Sequence, residues 1–132
     1  MIFVDTSFLV AYAVSSDSRH ADALALRKPF SAQALLTSTL VLGETWTTLR
    51  RRLGHPRTRG WIDALRALEH LRVDHIDAEL EDQAWAWLRA RDERSYSFVD
   101  ATSFALMRKL RIREALAFDG DFAAAGFVEL RP

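Results

Sequence analysis

Four carboxylates in this chain stand where a folded protein has least reason to put them. Asp5 ends the apolar run Ile2-Phe3-Val4, and Asp119 ends the apolar run Leu116-Ala117-Phe118. Asp100 follows Ser97 by three residues, in the position of a capping box. The helix it opens is unusually apolar, carrying Val99, Phe104, Ala105, Leu106, Met107 and Leu110. Glu44 has Leu40 and Val41 one turn behind it and Thr47 and Thr48 one turn ahead, so its own helix offers it no cation. A carboxylate on an apolar face is costly unless something neutralises it, and a bound metal ion does so. A site of Asp and Glu without His or Cys suits hard cations, Mg²⁺ above all. One or two such ions polarise a phosphoryl oxygen, activate water and stabilise a leaving oxygen, which is what phosphodiester hydrolysis requires.

Each acid also has an ordinary reading. Asp5 can be the N-cap of a helix, Asp100 half of a capping box, Asp119-Gly120 a tight turn, and Glu44 a solvated side chain. Residue types alone leave both readings open. What weighs towards a metal site is that all four acids share apolar surroundings.

The elements that must position them follow from the pattern of the chain. At 132 residues it has the length of one domain, residues 1–132, with enough chain to bury a real core. Nearly half of it is hydrophobic, at 49%, with three prolines, which predicts a fully folded protein. There is no cysteine, which excludes disulfides, thiol nucleophiles and Cys-based zinc or iron–sulfur sites. The start, Met1 to Asp5, has no basic region and no long apolar stretch, so neither a signal peptide nor a membrane span is expected, and the expected compartment is the cytoplasm. Formal net charge is +0, so affinity for nucleic acid has to come from local patches.

Short apolar runs alternate with helical patterns. Strands are expected at Ile2–Val4, Ala34–Leu36, Val73–Ile76, Glu114–Phe118 and Val128–Leu130. Helices are expected from Asp5-Thr6-Ser7 to about Val14, from Ser15–Ser18 towards Arg27, over Leu40–Leu53, Arg57–Leu71 and Asp77–Arg91, and after Ser97. This alternation predicts an α/β fold of three layers, with a central parallel sheet of about five strands covered on both faces. In such folds ligands gather beyond the carboxyl ends of the strands, where Asp5 and Asp119 are delivered. Periodicity does not bring the start of the Asp100 helix to that edge.

The combination Val4-Asp5-Thr6-Ser7, Glu44-Thr45, Ser97-Phe-Val-Asp100-Ala, Ser103-Phe-Ala and Ala117-Phe-Asp119-Gly-Asp121-Phe122 closely resembles the PIN domain. Within that family it is most similar to the VapC toxins of bacterial toxin–antitoxin pairs, over essentially the whole chain from Ile2 to Phe127. The resemblance implies a Mg²⁺- or Mn²⁺-dependent ribonuclease, binding one or two ions, with a three-layer α/β fold. By the same carry-over Asp5, Glu44, Asp100 and Asp119 correspond to the acidic quartet that holds metal and performs catalysis. Thr6 or Ser7 corresponds to the hydroxyl that supports it. Asp121 stands where the family varies, as an aid at the metal or a turn residue. The implied partners are an RNA substrate, a cognate antitoxin and a homodimer mate.

RNA also needs cationic surface. Arg50-Arg51-Arg52, His55, Arg57 and Arg59 form a basic run with no acid inside it, directly after the Glu44 helix. Its ordinary reading is a solvated helix end. Arg108, Lys109, Arg111 and Arg113 are more simply explained by the negative end of a helix dipole. None of the four histidines (His20, His55, His70, His75) neighbours an acid motif. Trp85 and Trp87 lie two apart on one helix and point in different directions, so an exposed member would mark a partner surface. Two other readings are a non-catalytic RNA-binding or scaffolding module and an Asp-dependent phosphatase of the haloacid-dehalogenase type. The phosphatase needs a second Asp two residues after the first, where this chain has Ser7.

Overall fold

Ile2, Phe3 and Val4 are completely buried and are bonded to a strand on either side, so the first run of the chain is the centre of the sheet. The computed structural model describes residues 1–132. In chain order it contains β1 (Ile2–Val4), α1 (Thr6–Ala13), α2 (His20–Ala25), α3 (Arg27–Ala32), β2 (Leu35–Ser38), α4 (Thr39–Leu53), α5 (His55–Arg66) and β3 (Leu71–Asp74). It continues with α6 (Ala78–Arg89), α7 (Phe98–Leu110), β4 (Glu114–Leu116), α8 (Asp121–Ala124) and β5 (Val128–Glu129). All strand pairs are parallel, in the order β3-β2-β1-β4-β5. Central strands buried on both faces read as continuous apolar runs rather than alternating ones, which is why β1 and the start of β2 carry no alternating polar residue.

The expected three-layer α/β architecture with five parallel strands is the one observed. The chain builds outward from β1 to β2 and β3, then jumps back to the other side of β1 to lay down β4 and β5. Right-handed crossovers running in opposite directions place α1–α5 on one face and α6–α8 on the other. The reversal between β1 and β4 is a topological switch point, where the helices diverge and leave a crevice.

Only Arg111, Ile112 and Arg113 separate α7 from β4. A helix of 13 residues joined by so short a link to a strand must run antiparallel to it, so the N-terminus of α7 lies at the carboxyl edge of the sheet. That connection, not periodicity, carries Asp100 to the switch point. Helix α6 pairs with α7: Asp77 at one end lies 4.0 Å from Lys109, and Trp87 at the other packs edge-on against Tyr96. Eight consecutive residues of α7, Asp100–Met107, are buried, as expected for a helix that is apolar on nearly all sides. Phe104 anchors it, edge-on to Phe122 at 4.9 Å and stacked on Phe127 at 5.5 Å.

Several boundaries differ from expectation. The third strand is Leu71–Asp74, not Val73–Ile76, and the preceding helix is His55–Arg66, not Arg57–Leu71. Pro56 fits the first turn of that helix, where its missing N–H costs nothing, and Gly54 with φ of 81° makes the sharp join after α4. The expected helix towards Arg27 is two short ones, α2 and α3. Strand β4 stops at Leu116, and Ala117 and Phe118 are buried beyond its end.

Candidate active site

Each acid is set by a local device that the sequence encodes. Asp5 leaves β1 and becomes the N-cap of α1: its Oδ2 accepts from the Ser7 N–H at 3.0 Å and from the Ser7 hydroxyl at 2.6 Å. The Ser7 hydroxyl oxygen in turn accepts from the Phe118 N–H at 3.0 Å, while the Asp5 N–H donates to the Leu116 carbonyl at 3.0 Å. Ser7 therefore stitches the end of β1 to the end of β4. Thr6 turns its hydroxyl away, towards the Val41 carbonyl at 3.5 Å. Asp100 completes a capping box with Ser97, accepting from the Ser97 N–H at 3.0 Å while the Ser97 hydroxyl accepts from the Asp100 N–H at 2.9 Å. The capping readings of Asp5 and Asp100 are thus correct, and they orient the carboxylates rather than competing with a site.

Asp5, Glu44, Asp100 and Asp119 line one cavity of about 470 Å³ at the switch point, together with Thr6, Ser7, Val10, Asp17, Arg19, Thr48, Ser97 and Phe118. Glu44 reaches it half-buried from α4, one turn before Thr48. Asp121 is not in the cavity wall, yet Asp100, Asp119 and Asp121 each place a carboxylate oxygen within 4.8 Å of the others. The Asp121 N–H also donates to Asp119 Oδ1 at 3.1 Å.

Burial first, and crowding after it, raise the proton affinity of Asp5, Asp100 and Asp119. Asp5, 2% exposed, is pushed up to about 7, first by burial and then by the charges of Asp119 and Asp100, against the pull of the Ser7 hydrogen bonds. Asp100 is pushed up to about 6, again mainly by burial, with Asp119 and Asp121 adding to it. Asp119 keeps much of its surface exposed and is nevertheless raised, by partial desolvation in the cleft and then by Asp121 and Glu129. The donor set fits a hard divalent cation: carboxylate oxygens converge, and no His or Cys lines the cavity. His20 and His70 bind the Ala11 and Phe30 carbonyls instead, at 2.7 and 3.0 Å.

The basic run does not join the cavity wall. Arg50, Arg51, Arg52 and Arg57 are exposed along the end of α4 and the start of α5. Sequence reading missed Asp17, Arg19, Arg94 and Glu129. Arg94 clamps the acid turn: its Nε donates to Asp121 Oδ1 and its Nη2 to the Asp119 carbonyl at 3.0 Å. Glu129 holds the same turn from the other side, accepting from the Gly120 and Ala123 N–H groups at 3.3 and 2.9 Å and from Arg131 at 2.8 Å. A signal for Glu129 was present, since it is an acid inside the apolar run Phe127 to Leu130.

Glu129, whose side chain is 3% exposed, gives a first expected result. Glu129→Ala takes the acceptor from two backbone donors and leaves Arg131 with backbone carbonyls only, a loss of about 2 kcal/mol in chemical denaturation. It should also weaken Mn²⁺ binding, because the turn carrying Asp119 loses its support. Glu129→Gln, which keeps an acceptor, should cost less; unchanged stability in both variants would show the turn to be held by Arg94 alone.

The family signature of the PIN domain matches residues 2–128. The chain belongs to the PIN-domain family. Over 100% of its length and 99% of theirs, this PIN-domain chain is 57% identical to two relatives named 23S rRNA-specific endonuclease VapC20, from Mycobacterium tuberculosis strains CDC 1551 / Oshkosh and H37Rv. It superposes with a TM-score of 0.93, at 55% identity and over 100% of both chains, on the crystal structure of M. tuberculosis VapC20, described as a sarcin–ricin loop cleaving toxin. The reading of the sequence as a ribonuclease toxin of the VapC type is borne out, and PIN nucleases work with a divalent metal. No helix of this PIN domain is long and apolar enough to cross a membrane.

Proposed function

We propose that this single PIN domain cleaves RNA at one internal site as the toxin of a toxin–antitoxin pair, and that its target is the sarcin–ricin loop of 23S rRNA. The observation that carries the proposal is the convergence of Asp5, Glu44, Asp100 and Asp119 on one cavity at the switch point. The target is taken from the full-length likeness to VapC20. In this reading Asp5, Glu44, Asp100 and Asp119 hold one or two Mg²⁺ or Mn²⁺ ions, with Asp121 at the margin. When bound, the metal polarises the scissile phosphate and lowers the pKa of its water. The chain's own contribution is orientation. Ser7 fixes the Asp5 carboxylate, the Ser97 backbone fixes that of Asp100, and Arg94 and Glu129 hold the turn that presents Asp119. Asp5, whose carboxyl is pushed up to about 7, and to a lesser degree Asp100, pushed up to about 6, lose their residual protons to solvent when a cation binds, so binding near or below neutrality should release protons.

The proposed partners are a cognate antitoxin and a second copy of the chain, in the cytoplasm. Trp85, 49% exposed and stacked on Phe98 at 4.5 Å, is the surface feature that supports a protein partner. The deciding experiment incubates the purified protein with total RNA or ribosomes, with Mg²⁺ or with EDTA, and maps the new ends. A single metal-dependent cut in the sarcin–ricin loop is expected. RNA binding unaffected by chelation, without new ends, would favour the scaffold reading; phosphate release from a small phosphomonoester would favour the phosphatase.

The basic run is proposed to guide the RNA backbone. On α4, Arg51 continues the line of Glu44 and Thr48, about 10 Å along the helix from Glu44, whereas Arg50 falls some 120° round from it. Arg52 reaches the Ser16 hydroxyl at 3.4 Å, on the loop that also carries Asp17 and Arg19. Replacing Arg51 and Arg52 with Ala should weaken binding to all RNAs by a similar factor, because phosphate contacts carry little sequence information. It should also flatten the salt dependence by about 0.7 to 0.9 of slope per lost contact, with Mn²⁺ affinity unchanged. RNA affinity measured over several salt concentrations checks this; an unaltered slope would leave these arginines as helix-end solvation only.

A further inference from the structure

Among the residues lining the acid cavity, five are carboxylates (Asp5, Asp17, Glu44, Asp100 and Asp119) and one is a cation, Arg19. An RNA phosphate entering here brings further negative charge, and Arg19 is the one cationic side chain in the wall to meet it. Its position is built. The Arg19 N–H donates to Asp17 Oδ1 at 2.8 Å, fixing the backbone ahead of α2. The guanidinium lies over the Phe118 ring, 5.4 Å from its centre, beside the residue that precedes Asp119. Its Nη1 donates to Asp22 Oδ2 at 3.0 Å, and its remaining N–H donors have no protein partner.

That pairing is weak and easily exchanged, since both side chains are well exposed, at 44% and 40%. A phosphate offers the guanidinium a bidentate partner that Asp22 does not. The neighbouring arginines are committed elsewhere: Arg94 to Asp121 and the Asp119 carbonyl, Arg131 to the Ala117 carbonyl and Glu129.

We propose that Arg19 is a catalytic residue of the nuclease, leaving Asp22 to bind a non-bridging oxygen of the scissile phosphate and stabilising the charge that builds there as water attacks. The proposal rests on the nuclease reading above. Arg19 gives and takes no proton, and the bonds that form and break are those between phosphorus and the water and leaving oxygens. A donor aimed at developing charge is worth more in the transition state than in the ground state, so its loss falls on kcat rather than on KM.

The test compares the full-length protein with its Arg19→Gln, Arg19→Lys and Asp22→Asn variants. Each is assayed on a sarcin–ricin stem-loop RNA in Mg²⁺, and its melting temperature and Mn²⁺ affinity are measured without RNA. Arg19→Gln should lower kcat about 100-fold, as removal of one oxyanion donor does, with KM changed by less than about threefold. Arg19→Lys, a point charge without the planar fork, should fall between. Asp22→Asn should keep wild-type kcat, because it only frees the guanidinium. Mn²⁺ affinity should hold or tighten in Arg19→Gln, since a positive charge has left the cavity. Wild-type kcat in Arg19→Gln overturns the proposal while leaving the nuclease reading intact. Equal losses in Arg19→Gln and Asp22→Asn, tracking a lowered melting temperature, overturn it in favour of a structural ion pair. A wild-type protein that cuts no RNA in Mg²⁺ or Mn²⁺ removes the nuclease reading and this role together.

Discussion

Asp100→Asn is expected to reduce RNA cleavage by about 10³-fold or more, some 4 kcal/mol of transition-state stabilisation, while leaving the fold intact. The substitution is informative because of what it keeps. Asp100 is 7% exposed and accepts from the Ser97 N–H at 3.0 Å, and an asparagine oxygen in the same place accepts that bond equally well. The capping box survives, and what disappears is one negative charge facing Asp119 and Asp121. Metal affinity should fall with it. Without metal at pH 8 the variant should be more stable than the wild type by up to roughly 2 kcal/mol, since burial and like charges already push the Asp100 carboxyl up to about 6. Asp100→Ala provides the contrast: it loses the box as well, at a cost of about 1 kcal/mol, and should gain less or nothing. Cleavage rates with thermal melts in EDTA make the measurement. Wild-type activity in Asp100→Asn, or its wholesale unfolding, would remove Asp100 from the metal site.

The second large effect is a stability that declines as pH rises in the absence of metal. Asp5 moves from 3.8 to about 7 on folding and Asp100 from 3.8 to about 6. A carboxyl with a raised folded pKa binds more protons folded than unfolded, so its contribution is most favourable below about 4 and is lost as pH climbs through the folded value. Between pH 5.5 and pH 8 the two groups together should remove about 2 to 3 kcal/mol, mostly through Asp5. That corresponds to a fall of roughly 5 to 10 °C in the melting temperature of a chain this size. Millimolar Mn²⁺ should erase most of the difference, because a cation binding only the folded, deprotonated site stabilises it by mass action. Melts in EDTA and in Mn²⁺ across this pH range test it. A flat or rising EDTA profile would show that these carboxylates are better solvated than their burial implies.

Much of this protein is readable along the chain, for a definite reason. Strands buried on both faces have to be continuous apolar runs, so β1, the start of β2 and β4 were legible, and so were the acids that end them or cap the next helix. Parallel strands alternating with helices leave little choice but three layers. The resemblance of the acid motifs to the PIN domain then supplied the family. Boundaries were less legible: the helix expected over Arg57–Leu71 ran on past Arg66 because a helix and a following strand can both bury leucines, as Leu65 and Leu71 do.

What the tertiary structure decided is which residues meet. Asp100 reaches Asp119 because a three-residue link forces α7 to run back against β4, a constraint that no local period expresses. The support groups Arg94 and Glu129 act from 25 and ten positions away on the turn at Asp119, and their sequence neighbours say nothing of that partner. Arg19, in a loop between two helices, was indistinguishable from any solvated arginine until the fold closed five carboxylates round it. Residue type and local spacing determined which groups could do the chemistry; long-range packing determined the electrostatic field in which they do it, because charge acts across space and not along the chain.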